Sequence, residues 1–237
     1  MPVITIDGQI GSGGREIGLM AATALEIDYY DQAIIEQAAR RLGATIQAVE
    51  EKHTVPVRAR DRVARFLTNF LEKSATAGAA GDPFLGPTGV EHLLTRSYPE
   101  ASQAPITRAQ ELDDKRFIEV HRAVLRDIAG TGSAVILGRG GVVELRDWPG
   151  ALHVDTVAPF DQRVKRLMER LEVDSASAEK HARDMEAGRL AYFRKYFNVD
   201  ANDPSLYHMV LNTGQFPLDY LATLVVEAAR KLQTLKR

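Results

Sequence analysis

The chain has 237 residues, 45% of them hydrophobic and 26% charged, with a formal net charge of -2; this is a globular composition, which excludes a disordered, collagen-like or fibrous chain. At ~150 residues per domain the length admits one large domain or two small ones. The absence of cysteine removes disulfide frameworks, thiol catalysis and thiolate zinc sites together, and the near-neutral charge argues against nucleic acid as the main partner.

The N-terminal stretch MPVITIDGQIGSGGREIG has no basic leader followed by an apolar run and reads as the start of the fold. No run of about 18 apolar residues predicts a membrane-spanning helix, so the expected compartment is the cytoplasm. Val3 to Ile6 is a β-branched run suited to a buried strand. A glycine-rich turn spans Gly8 to Gly14, and Ile17, Met20, Ala21, Ala24 and Leu25 then recur at helical spacing. Asp31 is placed to cap a helix carrying Ile34, Ile35, Ala38, Ala39 and Leu42, with Gly43 at its end.

Between about 45 and 104 the texture changes. Arg58, Arg60, Arg62 and Arg65 alternate with or precede apolar residues, and AGAAGDPFLGPTG reads as a mobile insertion. Thr107 to Gln110 forms a capping-box pattern, opening a helix with Phe117, Val120, Val124, Leu125 and Ile128. Further strands are expected at Ala134–Leu137, Leu152–Val154 and His208–Leu211. Helices are expected after Pro159, from about Ser177 to Phe197, and after Pro217. Strands alternating with helices predict an α/β fold with a mostly parallel sheet covered on both faces, and ligands beyond the strand C-termini.

Four glycines within the seven residues Gly8 to Gly14, between a strand and a helix, suit backbone N–H groups that converge on a phosphate. Against the standard phosphate-loop pattern G-x-x-x-x-G-K-[ST], Gly14 stands where lysine is expected and Arg15 where the metal-holding hydroxyl is expected. Arg15 offers compensating charge in a different geometry. The six histidines, at 53, 92, 121, 153, 181 and 208, have no metal-ligand spacing, and no Gly-x-Ser-x-Gly elbow occurs. Asp155 could assist a magnesium shell, although a strand-end turn explains it more simply.

GSGGREIG, Tyr29 to Ile35, and Val135 to Gly141 together resemble the cytidylate kinase-like family, which is similar to the P-loop nucleoside monophosphate kinases. Arg163 to Arg170, Glu186 to Tyr196, and Tyr207 to Thr213 extend the resemblance over most of the chain. It implies a P-loop NTPase-like three-layer sandwich in one domain. The core would be 1–44, 105–172 and 198–237, with a helical acceptor-binding insertion at 45–104 and a short lid at 173–197. It further implies transfer of the γ-phosphoryl group of ATP, with Mg2+, to a nucleoside monophosphate, CMP or dCMP first. Gly8, Gly11, Ser12, Gly13, Gly14, Arg15 and Glu16 would hold the donor. Asp31 would contact the acceptor, although helix capping is an equal role for it. Arg139, expected to be exposed on a flexible turn, would grip the acceptor phosphate. Glu186 would contact nucleotide, and Arg189 would stabilise the transferred group; the simpler account of both is a solvated intrahelical pair. Arginines alternating with Tyr192, Phe193 and Tyr196 suggest RNA stacking more weakly. A nucleotide-binding regulator without efficient transfer, or a kinase for a non-nucleotide acceptor, are the alternatives.

Overall fold

The computed structural model describes residues 2–31 and 108–235. The helix expected after Asp31, the insertion at 45–104 with its four arginines, and the Thr107 cap lie outside those residues. Residues up to Asp31 and from Ile128 onward belong to one compact unit, which carries the sheet; the helix α2 (Arg108–Gly130) falls in a second unit as far as Asp127.

The sheet has five parallel strands in the order β2-β3-β1-β4-β5. They are β1 (Val3–Gly8), β2 (Asp28–Tyr30), β3 (Ala134–Leu137), β4 (Ala151–Val157) and β5 (Met209–Asn212). The expected mostly parallel α/β sheet is present. Its central strands are buried on both faces, which is why Ala134–Leu137 reads as an unbroken apolar run and Val3–Ile6 as one interrupted only by Thr5. β2 went without an expected boundary because it is a three-residue edge strand, exposed at Asp28. The third expected strand is longer than its apolar stretch, running through Asp155 and Thr156 to Val157.

Alternation sorts the strands' side chains. Ile4, Ile6, Leu152 and Val154 enter a core shared with α1 (Gly14–Leu25) and the last helix, α6 (Leu218–Leu235), through Ile17, Ala21, Leu221 and Val225. Thr5, Asp7, His153 and Asp155 leave the opposite face, all of them buried. There Thr5 Oγ1 is 2.7 Å from His153 Nδ1, and His153 stacks on His208 with ring centroids 4.9 Å apart. Burial, then His208, pushes His153 down to about 4.

After β1 the chain turns through α1 toward β2 and β3; after β4 it passes through α4 (Phe160–Leu171) and α5 (Ser175–Phe197) to β5 on the other side. The connections diverge between β1 and β4, and the crevice beyond the ends of those two strands is where ligands bind such sheets. α4 and α5 pack together through Val164, Leu167, Ala178 and Ala182, with Ile10 of the glycine turn inserted among them.

The turn from β3 into the short helix α3 (Gly141–Glu144) places three successive residues in the left-handed region: Gly138 (φ 72°), Arg139 (φ 55°) and Gly140 (φ 73°). A Cβ on Gly140 would fall into the ring of Phe197 on α5. Gly150 also has positive φ, 81°, but open space around it. Gly140→Ala should therefore cost about 1–3 kcal/mol more than Gly150→Ala in urea unfolding, the difference reporting the clash and not the backbone strain. Equal losses would show that Phe197 yields freely.

Candidate active site

The glycine turn is an extension of the β1–β4 pairing. Gly8 is in register with Thr156, and Gln9 N–H donates to Thr156 O at 3.0 Å. Asp7, at the end of the buried part of β1, accepts from Gly8 N–H at 2.7 Å. Ser12 N–H closes a turn on Gln9 O at 2.9 Å, and Ser12 Oγ is 2.7 Å from Thr156 Oγ1, which donates to Asp7 O at 3.2 Å. Gly11 (φ 84°) and Gly13 (φ 93°) adopt conformations that side chains resist. Gly13 caps α1 without any side-chain hydrogen bond, so the helix starts with no side chain occupying its first-turn donors.

Gly14 shows why the standard lysine is absent. A Cβ there would stand 2.9 Å from Thr156 Oγ1 and 3.3 Å from Ile6 Cγ2, so the Thr156 hydroxyl fills the space that a longer residue needs. Arg15 is exposed, with Tyr29 and Arg170 near it. The cations against the loop come from α4. Arg163 Nη1 donates to Ile10 O at 3.3 Å. Arg166 donates to Gly11 O (3.5 Å), Thr213 Oγ1 (2.8 Å) and Thr213 O (2.8 Å), and Thr213 Oγ1 donates to Ser12 O at 2.6 Å. Because a trans peptide sets its carbonyl and N–H in opposite directions, pulling the Ile10 and Gly11 carbonyls toward α4 turns the next two N–H groups away from it.

Glu186 and Arg189 occupy the crevice itself. Ile10 N–H donates to Glu186 Oε2 at 2.9 Å, with Arg163 Nη1 3.9 Å from the same oxygen. Arg189 is 1% exposed; its guanidinium donates to Glu186 Oε1 (2.9 and 3.3 Å), Asp7 Oδ1 (3.3 Å) and Asn202 Oδ1 (2.7 Å). The intrahelical pair is present, with Arg189 buried and Glu186 half-buried, and the expectation of a solvated face is corrected. Arg139 also differs from expectation: it is 1% exposed, covered by Tyr192 with 5.5 Å from guanidinium carbon to ring centroid. Tyr192 and Phe193 are themselves buried and pack on Phe197, which withdraws them from any stacking on RNA bases. Asp31 follows β2, half-buried, and Glu16 lies in the first turn of α1 near Arg170.

Asp155 sits within β4 and not in a strand-end turn, beside its register partner Asp7. Burial raises both carboxyl pKa values. For Asp7, Arg189 and the Gly8 N–H oppose the rise; Asp155 is pushed up to about 7 by burial and then by Asp7, with Arg189 opposing. Among the described residues no group of three or more His, Cys, Asp or Glu side chains converges to hold a metal, and no described helix is long and apolar enough to cross a membrane. Sequence reasoning missed Asp7, Thr156, Arg163, Arg166, Asn202 and Thr213. The spacing of Arg163, Arg166 and Arg170, three and four apart, was a legible signal of one helix face.

Residues 3–215 match a model described as the cytidylate kinase-like family. The chain belongs to the cytidylate kinase-like family. Cytidylate kinase of Aeropyrum pernix is 28% identical over 130 residues, which cover 55% of this chain and 74% of that protein. Uronate isomerase of Corynebacterium glutamicum is 31% identical over 142 residues, covering 59% of this chain but 27% of that protein. An uncharacterized protein from Eubacterium ventriosum has a crystal structure of like fold: TM-score 0.61 at 16% identity, over 97% of this chain and 99% of that one.

Two outcomes follow for this family member. Gly14→Lys, which restores the standard motif on paper, should lower stability in urea unfolding, because Thr156 blocks the position; unchanged stability would contradict the packing. The raised Asp155 pKa favours folding while the carboxyl is neutral. Its contribution is full below the unfolded value of 3.8 and is lost as pH rises through about 7. In metal-free buffer Asp155→Asn should therefore gain stability over the parent by a few kcal/mol between about pH 4 and pH 8, read as a diverging pair of urea midpoints. Parallel midpoints would place the Asp155 pKa in the ordinary carboxylate range.

Proposed function

We propose that the protein transfers the γ-phosphoryl group of ATP to a nucleoside monophosphate, with CMP or dCMP as the first acceptor. The observation that carries this reading is the Glu186 carboxylate. A loop N–H, the Arg163 guanidinium of α4 and the Arg189 guanidinium of the same helix surround a single anion, and those are the groups that hold a phosphate oxygen. Family membership supports the same chemistry.

In this reading the start of α1 and the N–H groups of Gly11, Gly13 and Gly14 receive the donor phosphates, Ser12 N–H being held by Gln9 O. Arg163 and Arg166 brace the loop and add positive charge. An oxygen of the acceptor phosphate attacks the γ-phosphorus. The bond to the bridging oxygen breaks, and ADP leaves with that electron pair. Little covalent work falls to the protein; it positions the two phosphates and neutralises charge. Arg139 holds the acceptor phosphate once Tyr192 lifts from it, and Asp31 contacts the acceptor nucleotide. Arg189, released from Asp7 and Glu186, faces the transferred group. These changes lie on α5, the segment assigned the lid role, whose closure excludes water.

Magnesium, which such chemistry implies, fits the donor set. Mg2+ is held by one or two carboxylates plus phosphate oxygens and water; Asp7 and Asp155 supply two carboxylates with buried, unpartnered oxygens. When bound there it neutralises donor phosphate charge. One observation favours a second reading, a nucleotide-binding regulator: Glu186 already holds a donor of the loop.

A coupled assay with ATP, magnesium and each common nucleoside monophosphate tests the proposal. Product is expected with CMP or dCMP. Tight nucleotide binding with no product from any acceptor, nucleotide or not, would leave the regulator reading. Arg189→Ala should lower kcat by about 10²–10³ while ATP affinity changes only a few-fold, with Arg189→Lys recovering part. Unchanged turnover in a folded Arg189→Ala chain would remove the residue from the mechanism.

A further inference from the structure

Asp7 and Asp155 are register partners on adjacent parallel strands, so their carboxylates leave the same face of the sheet side by side. Each is 5% exposed. Asp7 Oδ1 is committed to Gly8 N–H and Arg189, whereas Asp7 Oδ2 and Asp155 Oδ1 are buried and without a hydrogen-bond partner. Three carboxylates, Asp7, Asp155 and Glu186, gather here. Arg163 lies against Glu186, and Arg189 is divided between Asp7 and Glu186. Asp155 takes part in none of the ion pairs among the described residues.

A buried carboxylate without a counter-charge is strongly disfavoured, so the pair must take up either a proton or a cation. Two hard oxygen ligands without thiolate select a small, hard ion. The place matters as well. The pair closes the crevice below a phosphate-type loop in which the usual metal-holding hydroxyl is replaced by Arg15, exposed to solvent.

We propose that Asp7 and Asp155 form a divalent-cation site of the magnesium class that belongs to this chain itself and fills in the absence of nucleotide. A dication at Asp7 Oδ2 and Asp155 Oδ1 supplies the counter-charge that Arg189 now gives to Asp7, which loosens the guanidinium for a ligand phosphate. The ion's purpose rests on the phosphoryl-transfer reading, but its binding does not.

The test is a Mn2+ titration of the nucleotide-free full chain at pH 8, followed by the electron paramagnetic resonance signal of free Mn2+, with Mg2+ as competitor. The wild-type chain should sequester about one equivalent and release it to excess Mg2+. Asp155→Asn and Asp7→Asn should each weaken binding by more than about tenfold. If the asparagine variants fail to fold by circular dichroism, Asp155→Glu, which keeps the charge but displaces it by one methylene, is read the same way. The proposal is overturned if all Mn2+ stays free with the wild-type chain at near-millimolar protein, or if a folded variant sequesters it as tightly as the parent. A chain that binds Mn2+ through these residues yet phosphorylates no acceptor keeps the cation site and loses the kinase reading. An active kinase that binds no Mn2+ without nucleotide does the reverse.

Discussion

A guanidinium at 1% exposure can persist only where its charge and its donors are matched, and Arg189 is matched from three directions: β1 through Asp7, its own helix through Glu186, and the stretch before β5 through Asn202. That single group ties α5 to the sheet at the mouth of the glycine turn. Because Glu186 also accepts Ile10 N–H, the conformation of the turn and the seating of α5 are linked through one carboxylate. The apolar half of the same helix reinforces the link, with Phe197 against Gly140 and Tyr192 over Arg139. Polar and apolar contacts thus hold in place the helix that phosphoryl transfer would require to move.

The glycine turn is braced from its outer side in the same economical way. Two arginines of α4 and Thr213 at the end of β5 bond its carbonyls, while Gln9 and Ser12 N–H close on carbonyls and Ile10 N–H on Glu186. Thr156 fills the space beneath. The departure from the standard phosphate-loop motif is therefore internally consistent: where Thr156 stands, a lysine at position 14 has no room, and positive charge arrives from a neighbouring helix.

Apolar periodicity made the sheet legible, since β1, β3 and β4 are buried on both faces and α1, α4 and α6 carry clear stripes. It was silent at β2, three residues long, and at α3, a single turn. Of the candidate site, the glycines were legible, because they are needed for backbone conformation and that need shows in sequence. Arg139 and Arg189 were singled out by their settings, but not their burial, because a charged residue in a helix or a glycine turn defaults to solvent. Asp7 went unread, and Asp155, although named for a magnesium shell, was explained more simply by a strand-end turn. In a strand buried on both faces an isolated acid looks like a turn residue, and only the register shows that two such acids are neighbours. Contacts made across strands carry no local spacing to read.

The bonds that shape the glycine turn come late in the chain. Thr156 lies 144 residues beyond Ser12, Glu186 176 beyond Ile10, and Thr213 201 beyond Ser12. β1 occupies the centre of the sheet, yet it cannot pair with β4 until the long stretch between them has been made. The glycine turn thus acquires its shape only after β5 has been synthesised, and a chain that stops short of β5 has its glycines present but lacks the bonds that set them.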